Sequence, residues 1–231
     1  MLEQINQQLS EIFVVIDLIG VLLNGILGGR LARAKGFDFV GFCILAIMCA
    51  LAGGMLRDLI LDSGPPIAIT NKYYLITAIT GAAIAWIVPL NSKWSNRVLI
   101  LFDGIILGCW SATGAAKTLG LGFGIVPAIM LGMMTSIGGG MIRDIAAGNV
   151  PTVFGGNNLY ATPAFVSAGV MVLFFKFDLM MIGMLVATIV GSSFTVLAHW
   201  RKWQLPQNQW NITMSSSQLR ALLRAKGQSD K

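Results

Sequence analysis

The sequence predicts an all-α membrane protein: seven transmembrane helices, arranged as two inverted three-helix repeats plus a seventh helix, with helices 2 and 5 broken at glycines. Three observations carry this. Of 231 residues, 55% are hydrophobic and 11% charged, against roughly 25% charged in an ordinary soluble domain, and the mean hydropathy is +0.75. Seven apolar runs approach the roughly 20 residues that a helix needs to cross about 30 Å of hydrocarbon. The chain also repeats itself at a constant offset of 86 residues.

The first run, 12–29, follows "MLEQINQQLSEIF", which carries acids but no lysine or arginine and leads to no small-residue cleavage site. It is therefore expected to stay in the protein rather than leave as a signal peptide. The second run, 38–60, and the fifth, 123–146, are rich in glycine, which weakens helix by about 1 kcal/mol relative to alanine. The third and sixth, 73–90 and 159–176, occupy matching places in the two repeats. The fourth, 98–117, ends on Lys117, which either snorkels to the interface or lines the outer mouth of a pathway. The seventh, 179–199, ends at His199 beside Trp200, and Trp203 follows, as residues of a membrane interface do. Cys43, Cys49 and Cys109 lie inside these runs at no metal-ligand spacing and read as small buried hydrophobes.

The expected units are 1–97 and 98–176 for the repeats, 177–203 for the seventh helix and 204–231 for a polar tail. In the tail, Ser215 and Gln218 fit a capping box, and Leu219, Leu222 and Leu223 lie among Arg220 and Arg224. That stretch is too short to be a stable helix alone; it reads as a frayed cytoplasmic tail or as a segment that touches anionic lipid. With the N-terminus outside, twelve of the sixteen lysines and arginines fall in cytoplasmic loops and the tail, leaving Arg57, Lys72, Lys117 and Lys176 on the other side. The positive-inside rule thus favours N-out, C-in. The net charge of +6 follows from topology and tail, and no aromatic-interleaved basic patch suggests nucleic acid.

The repeat organises the rest. "AGGMLRDLILDSGPP" (52–66) returns as "GGGMIRDIAAGNVP" (138–151). Asp17 matches Asp103, Gly28 matches Gly114, Gly53–Gly54 match Gly139–Gly140, and Arg57–Asp58 match Arg143–Asp144. Pro65 matches Pro151, Asn71 matches Asn157, and Tyr74 matches Tyr160. Each unit holds three spans, an odd number, so the second copy is upside down relative to the first, as in inverted-repeat transport proteins.

Gly53–Gly54 and Gly138–Gly139–Gly140 are natural points for a helix kink or break. Broken ends at membrane depth are tolerated only against protein or a water-filled cavity, and the carbonyls that end a half-helix carry partial negative charge suited to cations. Thr135 and Ser136 would add hydroxyl ligands. The alternative is that the glycines let helices pack closely; the duplication favours the break. Arg57, Asp58, Arg143 and Asp144 follow the glycines by about one helical turn. With Asp17, Asp103 and Lys117 they are intramembrane charges, which are costly and are functional candidates. Shared depth suggests the pairs Asp17–Arg57 and Asp103–Arg143, either as struts or as charges that ions pass.

Residues 102–124 (FDGIILGCWSATGAAKTLGLGFG), their counterpart 16–41 (IDLIGVLLNGILGGRLARAKGFDFVG) and the two GG-x-x-RD elements resemble one family in particular: the prokaryotic trimeric intracellular cation (TRIC) channels, also labelled glycine transporter domain proteins. The resemblance covers 12–199. It implies seven helices as 3+3+1, a homotrimer in the bacterial inner membrane with one pore per protomer, and passage of monovalent cations, potassium foremost. The family's other label implies a carrier of glycine or another small amino acid. Neither reading requires a cofactor or a metal.

Other motifs carry less. "TLGLG" (118–122) resembles a potassium-filter signature, but such a filter needs four loops around an axis. "GAAKT" (114–118) lacks the Gly-Lys adjacency of a phosphate loop. No catalytic constellation is visible, so an enzyme is not expected.

Overall fold

The computed structural model describes residues 2–89, 92–154 and 159–205. The capping box at Ser215 and Gln218 and the repeat partner Asn157 lie outside them. The described residues form α1 (Leu2–Ala34), α2 (Phe39–Leu61), a single turn α3 (Ile67–Thr70), α4 (Lys72–Ile87), α5 (Lys93–Gly120), α6 (Ile125–Ala146), α7 (Ala161–Phe175) and α8 (Met180–Arg201). Each predicted run coincides with a helix. Five of them, α1, α2, α5, α6 and α8, are long and apolar enough to cross a membrane, while α4 and α7 are shorter apolar helices.

The differences in length have local causes. The third run ends early because Val88, held extended at φ −96° and ψ 122°, precedes Pro89, and a residue before proline avoids the helical region. The first helix begins ten residues before its apolar run, through a stretch rich in Leu, Glu and Gln, which are good helix formers with no apolar signature. At the start of α2, the Asp38 side chain accepts from the Gly41 amide at 2.7 Å, the usual satisfaction of an orphan N–H.

The core is built from small residues. Ala46, Ala78, Ala112, Ala115 and Ala168 are completely buried, as expected where association in lipid depends on close backbone approach. The contacts obey the repeat. A Cβ on Gly28 would lie 2.8 Å from Ala46 Cα, and one on Gly114 would lie 2.9 Å from Gly132 Cα. In the first unit Gly81 of α4 abuts the Leu22 carbonyl of α1. At the matching place in the second unit, the Ser167 hydroxyl lies 2.9 Å from both the Gly108 and Ala187 carbonyls, tying α7 to α5 and α8. The added helix α8 therefore seats on the second unit, against Gly104, Gly108 and Ser167.

The glycine breaks do not occur. α2 is one helix through Gly53–Gly54, and α6 is one helix through Gly138–Gly139–Gly140. A glycine's loss of about 1 kcal/mol is smaller than the several kcal/mol of leaving a backbone group unsatisfied in hydrocarbon, so the intrahelical hydrogen bonds persist. The glycines serve contact instead. A Cβ on Gly53 would lie 2.3 Å from the Thr135 carbonyl oxygen, and one on Gly139 would lie 2.3 Å from the Cys49 carbonyl oxygen. Cys49 and Thr135 are themselves 86 apart. The contact is reciprocal, the signature of a twofold relation.

Candidate functional site: two charged cavities

Each repeat holds its motif charges in the same way. In the first, the buried Asp58 accepts Arg57 Nε at 2.8 Å on Oδ1 and the backbone amide of Ile67 at 3.1 Å on Oδ2. In the second, Asp144 accepts Arg143 Nη2 at 2.7 Å on Oδ1 and the amide of Thr152 at 3.2 Å on Oδ2. Each aspartate thus ties the end of its motif helix to the chain that follows the Pro65 or Pro151 turn. Lys117 Nζ adds a third bond to Asp58 Oδ1 at 2.8 Å. Its ammonium group thus has a specific carboxylate partner.

The proposed direct pairs are therefore corrected: each arginine bonds the aspartate next to it in sequence. The other carboxylates are occupied by neutral donors. Asp17 of α1 accepts the Tyr74 hydroxyl of α4 and the Trp110 indole Nε1 of α5, the latter at 2.6 Å. Asp103 of α5 accepts the Tyr160 hydroxyl at 3.0 Å. Each aspartate and its arginine line one cavity without forming an ion pair with each other.

Those cavities are the main feature of the site. The first is lined by Asp17, Gly54, Met55, Arg57, Tyr74, Trp110 and Thr135 among others, and its volume is ≈ 30 Å³, room for about a water or two. The second is lined by Asp103, Gly140, Met141, Arg143, Tyr160, Asn24 and Arg30 among others, with a volume of ≈ 160 Å³. Asp17/Asp103, Gly54/Gly140, Met55/Met141, Arg57/Arg143 and Tyr74/Tyr160 are all matched at 86 residues. Gly54 and Gly140 face these spaces: a Cβ on either would meet only its arginine's Nη2, at 3.9 Å. Gly54 and Gly140 each adjoin in sequence the glycine that makes the α2–α6 contact, Gly53 against the Thr135 carbonyl and Gly139 against the Cys49 carbonyl.

The predicted hydroxyls divide. Thr135 reaches the wall of the first cavity while its Oγ1 bonds the Leu131 carbonyl at 2.6 Å. Ser136 faces α5, where its Oγ lies 2.8 Å from Ser111 Oγ. Gly138 lies beside Gly53 Cα and belongs to the helix contact. Trp110 and Asn24 were not singled out from the sequence, and Tyr74 and Tyr160 stood only as repeat matches; the offset of 86 was the signal that linked the tyrosines.

Fold and site together define a membrane helix bundle in which two inverted copies of one unit each contribute a charged cavity. Comparison with known proteins gives the family. The family model described as Glycine transporter matches the chain twice, over residues 14–89 and 100–176, and the two matches begin 86 residues apart. The chain belongs to this family, which includes the prokaryotic TRIC proteins. It is 36% identical over 155 residues to a UPF0126 membrane protein of Deinococcus radiodurans, covering 67% of this chain and 72% of the relative. It superposes with a TM-score of 0.80 and 26% identity on a structure solved to explain conductance through TRIC cation channels, covering 87% of this chain and 99% of that one. A TRIC orthologue from Rhodobacter sphaeroides superposes with a TM-score of 0.76 at 23% identity, over 83% and 99% of the two chains; at that identity the likeness speaks for the fold.

Proposed function

We propose that the chain is a cation channel, with a pathway inside each protomer of a homotrimer running from one cavity to the other past the α2–α6 contact. The observation that carries this reading is the pair of repeat-related cavities, each walled by a carboxylate, a tyrosine, an arginine and an open glycine. Intramembrane charges held in this way mark ion pathways, and a pathway on a pseudo-twofold axis is approached from both faces by equivalent walls. The likeness to a TRIC cation channel at 26% identity supports the cation and the trimer. Potassium is the proposed ion. The proposed orientation is N-terminus outside and C-terminus in the cytoplasm, from the lysine and arginine distribution, in the bacterial inner membrane. It makes the first cavity the outer one.

A second reading has one observation in its favour. The ≈ 160 Å³ second cavity presents both Asp103 and Arg143, opposite charges that suit the ends of a small zwitterion such as glycine. Planar-bilayer recording of the purified protein under potassium, sodium and glycine gradients separates the two. The channel reading expects discrete unitary currents that reverse at the potassium potential. A glycine-dependent flux without unitary steps would favour the carrier.

A further inference from the structure

The two cavities share a frame and differ fivefold in volume, and at one matched position of their walls the side chains differ greatly in bulk. Trp110 of α5 and Asn24 of α1 are matched at 86 residues, and each lines the cavity of the opposite repeat. The indole of Trp110 is buried, hydrogen-bonded to Asp17, and laid against Gly20, where a Cβ would come within 3.0 Å of its ring. Gly20 is itself the counterpart of Ile106, so α1 gives up a side chain where α5 inserts the indole. In the second cavity the carboxamide of Asn24 folds back onto its own helix, its Nδ2 donating to the Gly20 carbonyl at 3.1 Å, and the space beside Asp103 stays open. Val21, Ala50, Ala68 and Thr135 line the first cavity with no counterpart in the wall of the second, and none of them is large enough to fill such a volume.

We infer that Trp110 is the residue that narrows one half of the pathway, so that the first-repeat half, at Asp17, limits passage while the second-repeat half stands open. This rests on the pathway reading above. Bulk at position 110 decides the limit, and the hydrogen bond to Asp17 holds the bulk in place.

The test is reaction with a membrane-impermeant, positively charged thiol reagent applied to both faces of proteoliposomes. The protein carries alanine at Cys43, Cys49 and Cys109 and a single new cysteine, Gly54→Cys or Gly140→Cys. Both positions have room for the side chain. With Trp110 present, Gly140→Cys reacts readily and Gly54→Cys slowly. Trp110→Asn accelerates reaction at Gly54→Cys by about tenfold or more, as a buried site does when its local opening is made easier, and leaves Gly140→Cys unchanged. Trp110→Leu, which keeps an apolar contact with Gly20, gives the same comparison if Trp110→Asn does not assemble. Equal reactivity of the two cysteines with Trp110 present, or no acceleration on its removal, would overturn the role of Trp110 while leaving the pathway in place. An unreactive Gly140→Cys would overturn the pathway reading and this inference with it.

Discussion

Gly53 of α2 and Gly139 of α6 hold the two repeats at a separation that no other residue permits: each lies with its missing Cβ 2.3 Å from a carbonyl oxygen of the other's helix. Their neighbours Gly54 and Gly140 face the cavities with nothing nearer than an arginine nitrogen. Adjacent glycines in one motif thus do different work.

Substitution by alanine separates these roles. Gly53→Ala and Gly139→Ala force two helix backbones apart and should destabilise the detergent-solubilised protein by about 1–3 kcal/mol or more, the range of overpacking. Gly54→Ala and Gly140→Ala meet no obstacle and should be neutral or stabilising by up to about 1 kcal/mol, the helix preference of alanine over glycine. Thermal unfolding of the four variants checks this. Equal effects would mean that helix propensity rather than contact governs the motif.

Asp58 is 1% exposed and its partner Lys117 is 39% exposed. Asp58→Ala removes the acceptor of Arg57, Lys117 and the Ile67 amide, and should cost about 3–5 kcal/mol, as loss of one member of a buried pair does. Lys117→Met should cost about 1 kcal/mol or less, the value of a part-exposed pair. A double-mutant cycle measures the coupling. A loss on Lys117→Met as large as that on Asp58→Ala would show the lysine to be the main support.

Tyr74 and Tyr160 donate to Asp17 and Asp103 at matched positions. Tyr74→Phe and Tyr160→Phe should each cost about 1–3 kcal/mol, the penalty of an acceptor left short of its donor, with the larger loss at Tyr160→Phe because Asp17 keeps the Trp110 indole as a donor. Chemical denaturation in mixed micelles reads both. A larger loss on Tyr74→Phe would show that the Trp110 indole does not compensate at Asp17.

The architecture was legible because composition, run length and the offset of 86 each constrain it directly. The offset also identified Asp17, Asp103, Arg57 and Arg143 as equivalent members of one design. Partners were not legible. Arg57 and Asp58 are adjacent in sequence, and whether an arginine turns toward its neighbour or across to α1 depends on rotamers and on Tyr74 and Trp110 already filling Asp17. The break at the glycines was misread for a related reason. Glycine signals both a weak helix and a close contact, and only the positions of the Cys49 and Thr135 carbonyls distinguish them. The unequal cavities lay in the one comparison that the repeat match does not flag, Asn24 against Trp110, because a repeat is recognised by its identities.

The central claim is a cation pathway within each protomer. Gly140→Trp places an indole in the second cavity, where Gly140 now leaves open space, and should block that protomer. Single-channel recording of trimers assembled from wild-type and Gly140→Trp chains tests the claim most directly. Independent pathways predict four conductance levels in equal steps, from zero to three active protomers, with unchanged ion selectivity at each level. Loss of all current on incorporation of a single Gly140→Trp chain would contradict the claim and indicate one shared pathway on the threefold axis.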